Sequence, residues 1–404
     1  MAPIQQRLSD TFSSFFDSEK SSGILLIVCT VISLLIANSP IGPDYVNFWQ
    51  GNIGGLSLEH WINDALMAIF FLLIGLELER ELYIGELSDF KNALLPIFAA
   101  IGGMAAPALI HFSLNAGTPA QAGIGIPMAT DIAFALGVLA ILGNRIPASL
   151  KVFVVAFAVI DDLGAIVIIA AFYTAQLSAW YLVGALAIGT LLFALNRFLR
   201  VMSVAPYLLG GALMWFLMLK SGVHATIAGV ALAFLIPFSA KNDGEQSPSH
   251  KLENALHKPV AFIILPIFAL ANTGILVGAD WMQDLTSSNS VGIIAGLILG
   301  KPLGVTLLCL VAVASGLCRL PPDMNWRHIF GAGILGGIGF TMSIFITNLA
   351  FAGNADTVNA SKMAILLASL MAGTVGFLWL RLLSKPELTN GDAGTMNSIQ
   401  PTRK

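Results

Sequence analysis

Phe153-Val-Val-Ala-Phe-Ala-Val-Ile-Asp161-Asp162-Leu-Gly-Ala-Ile-Val-Ile-Ile-Ala-Ala-Phe172 is apolar throughout except for two adjacent carboxylates. Its length is that of a membrane-crossing helix, about 20 residues. A charged side chain at the bilayer centre costs roughly 2.5–3.5 kcal/mol on insertion scales, so two side by side mark a place that holds a cation or passes a proton. Neighbours on a helix point about 100° apart, so the two carboxylates cannot share one partner symmetrically. One is expected to face a water-filled cavity and the other a neighbouring helix.

The rest of the chain agrees with that setting. Of 404 residues, 56% are hydrophobic and 11% charged, with a mean hydropathy of +0.83. A soluble globule carries about a quarter charged residues. The composition therefore predicts an all-α polytopic membrane protein in contact with the lipid bilayer. A net charge of −3 gives no sign of nucleic-acid binding. Cys29, Cys309 and Cys318 have neither metal-ligand spacing nor the pattern of a disulfide framework, and read as small buried hydrophobes. The first 20 residues contain Asp10, Asp17 and Glu19 and no hydrophobic core, which predicts no cleavable leader there.

Twelve spans are predicted, near 22–38, 59–84, 93–114, 121–143, 150–174, 179–200, 204–220, 223–239, 252–276, 290–314, 327–350 and 359–383. The seventh and eighth are short. With the N-terminus inside, 17 Lys and Arg fall on the cytoplasmic face, Lys220 and Lys362 fall outside, and Lys301 lies within a helix. This asymmetry predicts both termini in the cytoplasm. The organisation expected is a cytoplasmic N-terminus (1–21), one transmembrane domain (22–385) and a cytoplasmic, disordered tail (386–404). The 240–249 loop is polar and is expected to be flexible. Outside, Gly51-Asn52 and Gly54-Gly55 lie between short runs that read as strands, so a β-hairpin over 45–58 is expected. Its edge could pair with a second copy of the chain.

Polar residues inside the other spans extend the site. In Gly123-Ile-Gly-Ile-Pro-Met-Ala-Thr-Asp131, two glycines and Pro127 weaken the helix just before Thr130 and Asp131. A broken helix presents half-helix ends carrying partial charge, and Asp131 could neutralise the positive ones. Lys301, in Leu299-Gly-Lys-Pro302, is too deep to reach either surface comfortably. It is expected to pair with Asp131, Asp161 or Asp162, or to neutralise helix C-terminal ends. In the eleventh span, Gly336, Gly337 and Gly339 form a second interruption. Corresponding interruptions in spans 3–5 and 10–12 predict an inverted repeat. A further cluster lies at the cytoplasmic side. Glu77, Arg80 and Glu81 end the second span, and Glu253 and His257 open the ninth, after His250. The 77/81 and 253/257 spacings each place a pair on one helix face, as ordinary surface charge or as a proton-sensing, cation-attracting funnel.

Six motifs together resemble the NhaA family of bacterial sodium/proton antiporters, over nearly the whole chain. They are Gly-Leu-Glu-Leu-Glu-Arg-Glu-Leu at 75–82, Pro-Met-Ala-Thr-Asp-Ile-Ala-Phe at 127–134 and Ala-Val-Ile-Asp-Asp-Leu-Gly-Ala at 158–165. With them stand Leu-Lys-Ser-Gly-Val-His-Ala-Thr at 219–226, Gly-Lys-Pro-Leu-Gly at 300–304 and Gly-Gly-Ile-Gly-Phe-Thr-Met-Ser at 336–343. The resemblance implies twelve helices, the fourth and eleventh broken and crossed. It implies Asp162 as the principal sodium or lithium ligand, and Asp161 as the partner of Lys301 and a proton carrier. Thr130 and Asp131 match residues at the helix crossing. The 45–58 hairpin matches a homodimer contact, and Glu77, Arg80, Glu81, Glu253 and His257 match a region tied to pH activation. Asn254 stands where a histidine is expected, which leaves the activation pH open.

The resulting expectation is an electrogenic secondary antiporter of the bacterial inner membrane. It extrudes Na+ or Li+ in exchange for H+, with no cofactor beyond the transported ions. An intramembrane aspartyl protease needs carboxylates facing each other from separate helices, whereas Asp161 and Asp162 are neighbours on one. A cation channel uses rings of carbonyls or charges, and a single site balanced by Lys301 fits alternating access better.

Overall fold

Backbone amides cannot find partners in lipid, so apolar segments of membrane length are stable only as helices or closed barrels. The structure, a computed structural model, describes residues 21–173, 177–239, 247–278 and 281–383, and is dominated by helices. The expected N-terminal segment up to residue 20, the tail 386–404 and the loop residues 240–246 lie outside the described residues. The chain runs through α1 (Ser21–Ala37), α2 (Gly42–Gln50), β1 (Asn52–Ile53) and β2 (Leu56–Ser57), then α3 (Leu58–Tyr83) and α4 (Phe90–Asn115). A tight half-helix, Pro119–Met128, precedes α5 (Ile132–Leu142), α6 (Ala148–Phe172), α7 (Ala179–Arg197), α8 (Ala205–Ser221) and α9 (Ile227–Ala233). The remainder is α10 (Pro248–Asn272), α11 (Trp281–Thr286), α12 (Ser288–Ala314), α13 (Trp326–Gly336), α14 (Phe340–Ala350) and α15 (Ala355–Leu383).

Among the described residues, eight helices are long and apolar enough to cross a membrane, and up to ten if each of two bent pairs counts as one span. The two expected spans outside that number are the short ones. α8 has 17 residues. The eighth segment, expected over 223–239, is α-helical only at Ile227–Ala233. Its ends are wound more tightly by i→i−3 bonds, such as Gly229 N–H to Thr226 O and Leu235 N–H to Leu232 O. Pro237 follows and cannot continue the ladder.

The outside loop also differs from expectation. Residues 42–50, whose second half read as a strand, form α2, bent 114° from α1. Pro43 in its first turn and Asp44 beside it are helix-start chemistry. Tyr45 ties α2 down by donating to Leu270 O at 2.8 Å. The hairpin is only the two-residue ladder Asn52↔Ser57 and Ile53↔Leu56. Gly54 and Gly55 close it at φ +63° and +91°, the positive pair that a type I′ turn demands.

Around the two predicted interruptions pack α4, α6, α12, α13, α14 and α15. α4 and α12 approach most closely at Gly102 and Gly304, where a Cβ on either would run into the other's carbonyl. That approach fixes the depth of Lys301, three residues before Gly304. A π-helical turn, Gly296–Gly300, comes just before Lys301 and Pro302. α7 lies at the other extreme. It buries 11% of its most apolar window and leaves Trp180, Leu186 and Phe193 exposed, as a lipid-facing helix does.

Candidate functional site

The fourth span is interrupted as Pro127 and the glycines require. Its tight half-helix ends at Met128, Ala129 and Asp131 are extended, and α5 begins at Ile132. In the eleventh span, α13 and α14 meet at 46° across Gly337–Gly339. The two interruptions touch. Asp131 N–H donates to Ile338 O at 2.6 Å, and Ser343 Oγ donates to Ile126 O at 2.6 Å.

Asp131 serves two helix N-termini at once. Oδ1 accepts from Phe134 N–H of its own α5 at 3.1 Å. Oδ2 accepts from Thr341 N–H at 3.0 Å, in the first turn of α14, and from the Thr341 hydroxyl. A carboxylate is stabilised where helix N–H groups converge. Thr130 serves the opposite pole. Its hydroxyl donates at 2.9 Å to Gly336 O, at the C-terminus of α13, and accepts from Lys301 Nζ at 2.9 Å. Lys301 is thus linked to that helix end only through the Thr130 hydroxyl, and it meets Asp161 Oδ2 directly at 2.6 Å. Of the partners the sequence left open, the ammonium meets Asp161.

Thr130, Asp131, Asp161, Asp162 and Lys301 are all at most 2% exposed. A cavity was expected beside one carboxylate; in this conformation the described residues enclose both. Asp161 Oδ1 and Asp162 Oδ1 are buried and have no hydrogen-bond partner. An orphaned carboxylate oxygen is costly, and a proton or a small hard cation is what satisfies it. The arrangement can therefore hold a cation on oxygen ligands, hold protons, or exchange one for the other.

The second cluster forms at one end of the molecule. Arg80 Nε donates to Glu253 Oε1 at 2.8 Å, its Nη1 lies 3.1 Å from Glu81 Oε1, and His250 Nδ1 is 3.6 Å from Glu253 Oε2. His257 stands one turn beyond Glu253 on α10. Glu77 lies one turn before Glu81 on α3.

Sequence reasoning missed several polar residues. Thr341 was visible inside a glycine-rich interruption, where a hydroxyl has free backbone to serve. Glu79 is buried and accepts from Ser249 Oγ at 2.8 Å. Asn63, Asn272 and Asn348 form a chain in which Asn348 Nδ2 donates to Asn272 Oδ1 at 2.6 Å and Asn272 Nδ2 to Asn63 Oδ1 at 2.9 Å. His111, Asn289 and Ser361 form another. Amides on distant helices carry no sequence signal of their meeting.

Comparison with known proteins shows the family. The family model described as "Na+/H+ antiporter 1" matches residues 13–380. The Na(+)/H(+) antiporter NhaA of Dechloromonas aromatica is 72% identical over 380 residues, covering 94% of this chain and 98% of the relative. That of Cytophaga hutchinsonii is 57% identical over 384 residues, covering 95% and 98%, and that of Aliivibrio fischeri (strain MJ11) is 50% identical over 377 residues, covering 93% and 98%. With matches that span the charged centre and both interruptions, the chain belongs to the NhaA family of Na+/H+ antiporters.

Proposed function

We propose that this chain is a secondary transporter that exchanges cytoplasmic Na+, and Li+, for external H+ at the Asp161–Asp162 doublet. The observation that carries this reading is a buried carboxylate pair in which Lys301 holds one member and the other keeps an unpartnered oxygen. Asp162 is the principal cation ligand. Asp161 alternates between Lys301 and the transported species. Protons and cation compete, because sodium binds only when the carboxylates are ionised. Exchange is electrogenic in this reading, with more protons than sodium ions moved per cycle as the family resemblance implies, and it serves sodium and pH homeostasis.

The architecture in this reading is a single membrane domain, 22–385, of twelve spans. Spans 3–5 and 10–12 are inverted repeats whose broken members cross beside the doublet. In its support, both repeats are interrupted at the corresponding span, and the interruptions are hydrogen-bonded to each other. Thr130, Asp131 and Lys301 neutralise the half-helix ends so that the doublet alone is free to exchange. The Lys and Arg asymmetry supports cytoplasmic termini in the bacterial inner membrane. The short hairpin, with Ile53 57% exposed, supports a homodimer contact. The Arg80–Glu81–Glu253 network, with Glu77 and His257 one turn away, supports regulation by pH at the cytoplasmic mouth.

Proteoliposomes holding the purified protein should show proton movement when sodium is added across a pH gradient. Asp162→Asn should abolish it and fail to restore growth of a sodium-sensitive, antiporter-deficient strain at alkaline pH. Normal growth with Asp162→Asn contradicts the assignment.

A further inference from the structure

Lys91 and Arg319 belong to distant segments of the chain yet line one cavity of about 840 Å³ at the Lys/Arg-rich end. Lys91 and Asn92 come from the first turn of α4, Ala148 and Ser149 from the first turn of α6, and Arg319 from the 315–325 loop that joins α12 to α13. Lys91, Asn92, Ala148 and Arg319 are exposed, and Ser149 is half-buried. Deeper in the lining, Leu95, Pro96 and Phe153 are buried and apolar.

The charge of this cavity is of one sign. No carboxylate lines it among the described residues. Arg80, Lys301 and Lys362 each have a carboxylate partner, whereas Lys91 and Arg319 have none among the described residues. Asp89, two residues before Lys91, is turned to its own helix, where Oδ1 accepts from Lys91 N–H at 2.9 Å. α6 begins after Pro147 with no side-chain cap and no acidic residue in its first turn, so the positive end of that helix adds to the two cations.

Its size and surroundings suit an amphiphile. The volume lies within the roughly 300–1,000 Å³ of pockets that hold organic ligands. Leu317 lines the cavity and is 54% exposed, and Phe90, beside Lys91 in the chain, is 71% exposed. Leu303, Leu307 and Leu310 are exposed along one face of α12, which leads to the same loop. A soluble anion gains nothing from such a surface, whereas acyl chains do. Basic pockets between membrane helices at the cytoplasmic side are places where acidic headgroups lodge.

We infer that this cavity is a binding site for the headgroup of an anionic phospholipid, its phosphate held between Lys91 and Arg319 and its chains lying against Leu317 and the exposed leucines of α12. In the proposed architecture α4 and α6 belong to spans 3–5, and the Arg319 loop belongs to spans 10–12. A bound lipid therefore ties the two repeats together at this end and favours the conformation in which the cavity is formed. Binding here needs neither sodium nor exchange at the doublet, and is expected to persist in Asp162→Asn.

The test is native mass spectrometry of the full chain in detergent, titrated with phosphatidylglycerol, with phosphatidylcholine, and with glycerol 3-phosphate as the soluble counterpart. Phosphatidylglycerol should bind at least about tenfold more tightly than either of the others. The double variant Lys91→Gln/Arg319→Gln should weaken it by about fivefold for each cation removed, roughly 25-fold together. Arg145→Gln/Arg327→Gln makes the same charge change on the same face outside the cavity lining, and should weaken it by less than about threefold. Equal weakening in the two double variants would assign the preference to general surface charge and overturn the inference. So would phosphatidylcholine binding as well as phosphatidylglycerol, and glycerol 3-phosphate binding as tightly would make the ligand a soluble phosphate. Ala148→Glu sets a carboxylate in the lining at a helix start, where an acid favours the fold. It should remove the phosphatidylglycerol preference with the lipid-free unfolding temperature kept, and full binding in this variant would contradict the site. Bound phosphatidylglycerol should also slow hydrogen–deuterium exchange across residues 315–325 and the starts of α4 and α6. Unchanged exchange there, with the lipid bound, would refute the tie between repeats.

Discussion

The charged centre and the charged cluster at the Lys/Arg-rich end contain the same kinds of residue and behave as opposites. In the centre, Asp131, Thr130 and Lys301 each answer a helix end or an opposite charge, and exposure is at most 2%. At the end of the molecule, Arg80 reaches Glu81 and Glu253 with 31% of its side chain exposed. Glu81 and Glu253 are themselves buried, so water and salt reach the second network through Arg80 and screen it in part. The first has no solvent to fall back on, so removing one member strands another. In the proposed reading this difference divides chemistry from tuning: the buried doublet would set whether exchange occurs, and the partly screened network the conditions under which it does.

Breaking the centre should therefore give the largest effect. Lys301→Met leaves the Asp161 carboxylate buried without its counter-charge and should destabilise the protein by about 3–5 kcal/mol. Combining it with Asp161→Asn should recover most of that loss, read as thermal unfolding in detergent. A double variant no more stable than the single one would show that the ion pair is not the source. Thr341→Val removes one donor from Asp131 and leaves the N–H bond, so a smaller loss of about 1–3 kcal/mol is expected. Glu253→Gln should be the mildest, at most about 1 kcal/mol and less in high salt. Its main effect should be on the pH profile of exchange, with maximal turnover kept. Abolished exchange in Glu253→Gln would erase the distinction between the two regions.

Much of the centre was legible in the sequence because membrane burial makes polarity conspicuous. Asp161, Asp162 and Lys301 stand out against apolar neighbours, and Pro127 with the glycines at 336, 337 and 339 announces two weakened helices. Pairing was not legible. Lys301 lies within an α-helical register that specifies depth, while the choice of Asp161 over Asp131 or Asp162 depends on how α6 and α12 rotate against each other. The close approach of Gly102 and Gly304 contributes to that rotation, and it joins segments 202 residues apart in the chain. The outside loop was misread for a different reason. Pro43 and Asp44 carry a helix-start signal, but the glycines at 51, 54 and 55 drew the whole segment into a hairpin reading that only four residues support. In the eighth segment, hydropathy does not register the i→i−3 tightening at both ends, which leaves only Ile227–Ala233 α-helical.

Competition at the doublet is tested most directly by sodium affinity as a function of pH, measured by calorimetry on the purified protein. If protons and sodium occupy the same two carboxylates, the apparent Kd should fall as pH rises from acid to alkaline, by up to about tenfold per pH unit for each proton displaced. Asp162→Asn should remove the binding. A sodium Kd that stays constant across that range, with binding intact, would contradict the account.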